Sequence, residues 1–274
     1  MKLEEIEVIF YIEGLGNEKK ALESALKETA ENLKGEKGVE VEYARVEEVL
    51  EDPQADPLKY SGMIEAMLKG PLEEIVRLTL HYSPAIVEVV KPGKVEVDSK
   101  ELMKLLGEVS LFMRKLMEEF GGLAAYPKLD DVPVPRIGFE REEIEELIIG
   151  DRNVRYRLVI EVFGKDEESI KETMAKALAI EGCRINAIVV QGEMGEKEFK
   201  GYLAAELLSP IDTLAQLVGK YAPVAISILE PEVVDITANE LQNILTDLGG
   251  FVNELVTRPV RKMIADRQNT TFKL

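Results

Sequence analysis

His81–Pro92 reads HYSPAIVEVVKP and Lys220–Pro231 reads KYAPVAISILEP. Tyrosine and two prolines recur at the same spacing, with a similar apolar run between the prolines. Tyr221 lies 139 residues after Tyr82. The same shift carries Gly62 to Gly201, Pro71 to Pro210, Pro84 to Pro223, Pro92 to Pro231 and Glu101 to Glu240. The register runs without a gap from Tyr60 to Leu116, and 14 of its 57 positions are identical. In-phase prolines over that length indicate an internal duplication.

Upstream the copies correspond more loosely. VIFYIEGLGNEKKALESALKETAENL (Val8–Leu33) resembles RLVIEVFGKDEESIKETMAKALAIEG (Arg157–Gly182). The first copy has extra residues around EDPQADPLK (Glu51–Lys59), whose prolines suit an enlarged hairpin loop. Each copy reads strand, helix, strand, strand, short helix, strand, then a longer closing helix. Prolines at 84 and 223 stop the short helices, because the residue before proline avoids helical geometry.

The expected fold is α+β: a tandem duplication of the ferredoxin-like β-α-β-β-α-β unit, each followed by an extra helix, as a pseudo-dimer. Residues 1–120 form the first repeat. Residues 121–152 are a proline-containing connector and acidic helix, residues 153–257 the second repeat, and residues 258–274 a basic tail. Ile6, Val8, Phe10 and Ile12 share one face of the first strand, and Ile9 and Tyr11 the other. That second face needs a cover, either the closing helix or the other sheet.

Hydrophobic residues make up 46% of the 274, enough for a core in each half. No run of about 18 apolar residues is present, so no membrane span is expected. The N-terminal MKLEEIEVIF lacks the basic and apolar blocks of a signal peptide. A cytoplasmic protein is the expectation. Abundant Glu, Lys, Ile and Val with little Gln fit a thermophile. With 52 acids against 34 bases, the formal charge is −18. Such a surface repels phosphate backbones and anionic lipid, which disfavours nucleic acid and membranes as partners. The third strands, GMIEAMLKG and GYLAAELLS, offer only Tyr202 for base stacking.

Most repeated polar residues have structural work. Asp98 with Glu101, and Thr237 with Glu240, have capping-box spacing. Gly70 or Ser209 followed by proline suits the start of the short helices. EGLGNEK (Glu13–Lys19) lacks a third glycine and reads as a tight turn rather than a phosphate loop. Asn17 and Asp166 are then the expected helix caps. His81 and its counterpart Lys220 put positive charge in a last helical turn. Tyr82 and Tyr221 read as core or rim aromatics. Cys183 has no partner cysteine, and no metal site is expected. EREEIEEL (Glu140–Leu147) reads as a solvated helix face.

Bases cluster at Arg136, Arg141, Arg152, Arg155 and Arg157, and in the tail at Arg258, Arg261, Lys262, Arg267 and Lys273. Pairing with the acidic surface or a neighbouring subunit is the plain reading. For a ligand, Arg155 and Arg157 are the candidates, because strand alternation puts them on one side. No cofactor is identifiable. The expected function is a non-catalytic small-molecule-binding, assembly or regulatory module. Its partner would be a small anionic metabolite or a protein, and a homo-oligomer is expected. Regulatory domains of the ACT type share this element order. The alternative is an enzyme whose site, between the repeats, uses carboxylates, tyrosines and arginines.

Overall fold

A computed structural model describes residues 5–55, 57–123, 129, 131–196 and 198–270. The chain runs β1 (Ile6–Gly16), α1 (Lys19–Lys34), β2 (Glu40–Val46), β3 (Leu50–Glu51), β4 (Tyr60–Gly70), α2 (Leu72–Tyr82), β5 (Ile86–Lys91), β6 (Lys94–Asp98) and α3 (Ser99–Phe120). It continues with α4 (Arg141–Ile149), β7 (Val154–Gly164), α5 (Glu167–Ile180), β8 (Arg184–Met194), β9 (Phe199–Ser209), α6 (Ile211–Tyr221), β10 (Ala225–Glu230), β11 (Val233–Thr237) and α7 (Ala238–Thr270). The architecture is mixed α+β, with seven helices among the described residues. One antiparallel sheet has the order β2-β4-β1-β5, with β3 added on β4, and a second has the order β10-β7-β9-β8. β6 and β11 form a two-stranded sheet. Among the described residues, no helix is long and apolar enough to cross a membrane.

The chain divides into two compact units. One joins the residues up to Val95 to those from Thr237 onward, and the other spans Glu96–Ile236. These boundaries differ from the expected 1–120 and 153–257, because α3 packs with β10 and α6 and α7 packs with β5 and α2. A repeat boundary follows similarity along the chain, whereas a compact unit follows packing.

In the first unit β1 alternates as its sequence dictates, burying Ile6, Val8, Phe10 and Ile12. α1 lays Leu22, Leu26, Ala30 and Leu33 on that face. α2 packs Leu72, Ile75, Val76 and Leu78 beside it. α7 then packs against β5 and α2. β5 is an edge strand, whose outward N–H groups need partners. Val87 N–H donates to Thr246 Oγ1 at 3.1 Å and Val89 N–H to Gln242 Oε1 at 3.2 Å.

In the second unit β7 buries Val154, Tyr156, Leu158, Ile160 and Val162. α5 and α6 cover them with Ile170, Leu178, Leu214 and Leu217. Here α3 packs against β10 and α6. Ser110 Oγ donates to the Pro223 carbonyl at 2.7 Å, and Arg114 Nη2 donates to the Ala222 carbonyl at 2.6 Å. Each closing helix thus lies along an edge strand and against the neighbouring helix, so the second cover expected for the sheets is not supplied in that form.

Several local expectations are corrected. Gly14 and Gly16 are not in a turn: both lie in the β1–β4 ladder, where Gly16 pairs with Tyr60. The missing side chain at Gly14 lets α1 approach, since a Cβ there would stand 2.9 Å from Leu26 Cδ2. Extending the strand this far leaves Asn17 outside the helix. Glu18, in extended geometry, takes the cap position of α1 without a side-chain bond. Asp166 does cap α5, accepting from Ser169 N–H at 2.8 Å. The reciprocal capping box forms at Thr237 and Glu240. At Asp98 the carboxylate accepts instead from Lys100 N–H. The backbone expected as a tail after 257 continues α7 to Thr270. Lys273, and the side chains of Arg261, Lys262 and Arg267, lie outside the described residues, as do connector residues 124–128 and 130.

Candidate strand-edge site

β7 is longer than its neighbour β10. The two pair from Val154's end of the sheet as far as Val159 with Ala225, and Val224 N–H donates to the Val159 carbonyl at 2.8 Å. Backbone groups along a strand point alternately to its two sides. The N–H and C=O of Glu161 and Phe163 therefore face the same side as Val159, past the end of β10. Among the described residues no hydrogen bond reaches them there. β9 pairs with β7 on the opposite side through Gly164.

Two cavities flank this open edge. One, of about 380 Å³, lies between Ile160–Lys165 and the first turns of α5, with Thr173, Met174 and Tyr221 in its wall. The other, of about 370 Å³, shares Ile160, Glu161, Phe163 and Tyr221 and adds Arg114 and Lys220. Phe163 is 60% exposed, an unusual state for a phenyl ring. Lys200 stands over that ring, 5.8 Å from its centroid. Arg114 gives only a long contact, 3.5 Å, to Glu161, while Lys220 is held at 2.9 Å by both oxygens of Glu181. Tyr221 thus stands where an apolar wall meets a charged rim. In the first unit Tyr82 donates its hydroxyl to Glu36 at 2.9 Å, and burial followed by that bond pushes the phenol up to about 12.

Arg155 and Arg157 lie on one side of β7, as alternation requires, and the structure brings both to Glu206. Arg155 Nε donates to Glu206 Oε1 at 2.9 Å, and Arg157 Nε to Glu206 Oε2 at 2.8 Å. Asn186 Nδ2 donates to Oε1 at 2.8 Å. Glu206 is 7% exposed. Burial raises its pKa, but the bonds from Arg155, Asn186 and Arg157 outweigh that and hold it down at about 2. Arg141 joins through Glu230, which it binds at 2.9 Å while Arg155 approaches the same carboxylate at 3.5 Å. Arg136 pairs with Glu143, and Arg152 Nη2 donates to the Asp235 carbonyl. The junction arginines therefore do not converge on one open patch.

Sequence reasoning named Arg155 and Arg157 but missed Glu206. Its signal was an acid inside the apolar run YLAAELLS, opposite Arg157 in the β7–β9 register. Tyr221 was read as core or rim, and it is a rim residue. Phe163 was missed because an aromatic at a strand end looks like core until the neighbouring strand is seen to stop short.

The remaining candidates have structural partners. His81 stacks edge-on against Tyr82 with ring centroids 4.8 Å apart. Cys183 is buried, 3.7 Å from the Tyr156 hydroxyl, which lies 2.8 Å from Ser209 Oγ. Burial pushes the Cys183 thiol up to about 12, away from nucleophile chemistry. α4 forms as expected from EREEIEEL, with Ile144 buried beneath it. Among the described residues no group of three or more His, Cys, Asp or Glu could hold a metal ion.

The MJ0538 family model matches residues 7–264, and the chain belongs to that family. A relative from Methanocaldococcus jannaschii, named "Uncharacterized protein MJ0538", is 26% identical over 247 residues, covering 88% of this chain and 93% of the relative. No solved structure matches.

Proposed function

For this member of the MJ0538 family we propose a non-catalytic binding module. It is built from two ferredoxin-like β-α-β-β-α-β units in tandem, and its ligand occupies the cavities along the free edge of β7. The duplication is supported by element boundaries: a shift of 139 residues carries Tyr60–Gly70 onto Phe199–Ser209, Leu72–Tyr82 onto Ile211–Tyr221 and Ile86–Lys91 onto Ala225–Glu230. With β1 set against β7 and β2 against β8 by element order, the strand orders β2-β4-β1-β5 and β8-β9-β7-β10 are the same.

The observation that carries the site is the meeting of two cavities on one unpaired strand segment, with exposed Phe163 at its end. An anion seeking Arg155 and Arg157 would compete with Glu206, a buried carboxylate already bound to both. That competition favours the β7 edge. Native mass spectrometry of the purified protein, repeated after denaturation, tests the reading. The expected result is a discrete added mass that leaves on denaturation and is absent from Phe163→Asp. A bound mass retained by that variant would move the site elsewhere. A bare chain mass, with no thermal shift on adding a small-molecule extract of the source cells, would remove the binding role for small ligands.

A further inference from the structure

We infer that the occupant of the β7 edge is an extended peptide segment with apolar side chains at alternate positions, which adds to the sheet as a further strand. The inference rests on the strand-edge site proposed above and names its ligand class. Glu161 and Phe163 each offer one donor and one acceptor to the same side of β7. Residues two apart in a strand stand roughly 6.8 Å from each other. An extended peptide repeats its own outward N–H and C=O at that interval, so it satisfies both sets at once. A compact metabolite has no such repeat.

The walls fit the same occupant. Ile160 and Val162 point to the helix-covered face, where Met174 and Thr173 bound the first cavity. Phe163 and Glu161 point to the other face. An added strand alternates its side chains in the same way, so an apolar residue enters the cavity and its neighbour stays at the rim. The rim is mixed in charge: Arg114 and Lys165 stand with Glu118 and Glu161, and Lys220 is held by Glu181. A polar residue beside the apolar one suits such a rim.

The test uses the full chain and a displayed library of random dodecapeptides. Selected peptides are then made synthetically, unmodified and with single backbone N-methyl groups. The expected result is binding that falls at least tenfold on methylation at alternate residues and is indifferent at the others. Amide exchange adds a direct reading. In the free protein the Glu161 and Phe163 amides should exchange fast, while those of Ile160 and Val162, turned to β9, should be slow. Bound peptide should slow the first pair at least tenfold. Glu161→Pro removes one of the free donors on an edge where proline is tolerated, and it should weaken binding by a similar factor.

Binding that ignores both N-methylation and Glu161→Pro would overturn the inference. So would slow Glu161 and Phe163 exchange in the peptide-free protein that becomes fast on dilution, which would make the occupant a second copy of this chain. If no peptide is selected while native mass spectrometry finds a small molecule lost from Phe163→Asp, the peptide falls and the cavity reading stands. If neither is found, both fall.

Discussion

Ser110 on α3 donates its hydroxyl to the carbonyl of Pro223 at the entry to β10, over 2.7 Å. In the other unit the corresponding position on α7 is Gly249, which rests directly against the carbonyl of Pro84. One contact is made by a side chain and the other by close backbone approach. Ser110→Ala should cost about 1–2 kcal/mol, because a buried carbonyl loses its donor. Gly249→Ala should cost about 1–3 kcal/mol, because its Cβ would enter the space of the Pro84 oxygen and force the helix outward. Urea denaturation of the two variants checks both. Equal stability of Gly249→Ala and the parent would contradict the close approach.

Glu206 links stability to pH. Its folded pKa of about 2 lies below the ordinary value of 4.5. A depressed pKa means that its stabilisation is complete above the unfolded value and is lost as pH falls through the folded one. The window runs from about pH 5 down to pH 2, and the contribution is on the order of 3 kcal/mol. Glu206→Gln should lower stability at pH 7 and flatten that acid limb. The midpoint of denaturation measured from pH 2 to pH 7 reads both effects. An acid limb unchanged in the variant would assign the pH dependence to other carboxylates.

Cys183 should be silent to thiol reagents in the native state and fully reactive in denaturant, since it is buried and its pKa is raised to about 12. Tyr156→Phe removes the hydroxyl that meets Ser209 and Cys183. The expected cost is about 1 kcal/mol. Labelling of Cys183 should then speed up in proportion to the lost stability. Fast labelling of the parent protein would show that Cys183 is not buried in solution.

Gly192 and Gly201 face each other across the β8–β9 ladder. A Cβ on either would collide with the opposite backbone, at the Lys200 and Gln191 carbonyls respectively. Backbone cannot rotate away as a side chain can. Alanine at either position should cost about 1–3 kcal/mol, more than alanine at Gly107, where a Cβ meets nothing within 4 Å. Thermal melts of the three variants give the comparison.

Much of the layout was legible because hydrophobic period and punctuation agree. Pro71, Pro84 and Pro92 bracket α2 and β5 at the positions that their counterparts bracket α6 and β10. Helix ownership was not legible. Thr246 and Gln242 lie one turn apart on α7, a spacing that marks a face but names no sheet. Both sheets offer an edge strand beginning after a proline, so local pattern alone leaves the choice open. Nor was the Glu206 cluster, since it depends on which strands become neighbours. The β7 edge depended on an inequality of strand lengths, eleven residues against six, that periodicity does not reveal.

The assignment of α7 has a consequence for biosynthesis. Residues Glu96–Ile236 form one uninterrupted stretch, whereas the other unit needs both the residues up to Val95 and those from Thr237 onward. Translation therefore delivers everything the inner stretch requires before it delivers the last part of the outer one. Until α7 emerges, the N–H groups of Val87 and Val89 lack Thr246 and Gln242. The nascent chain carries β5 as an open edge through more than a hundred further codons, the interval in which a ribosome-associated chaperone has most to protect.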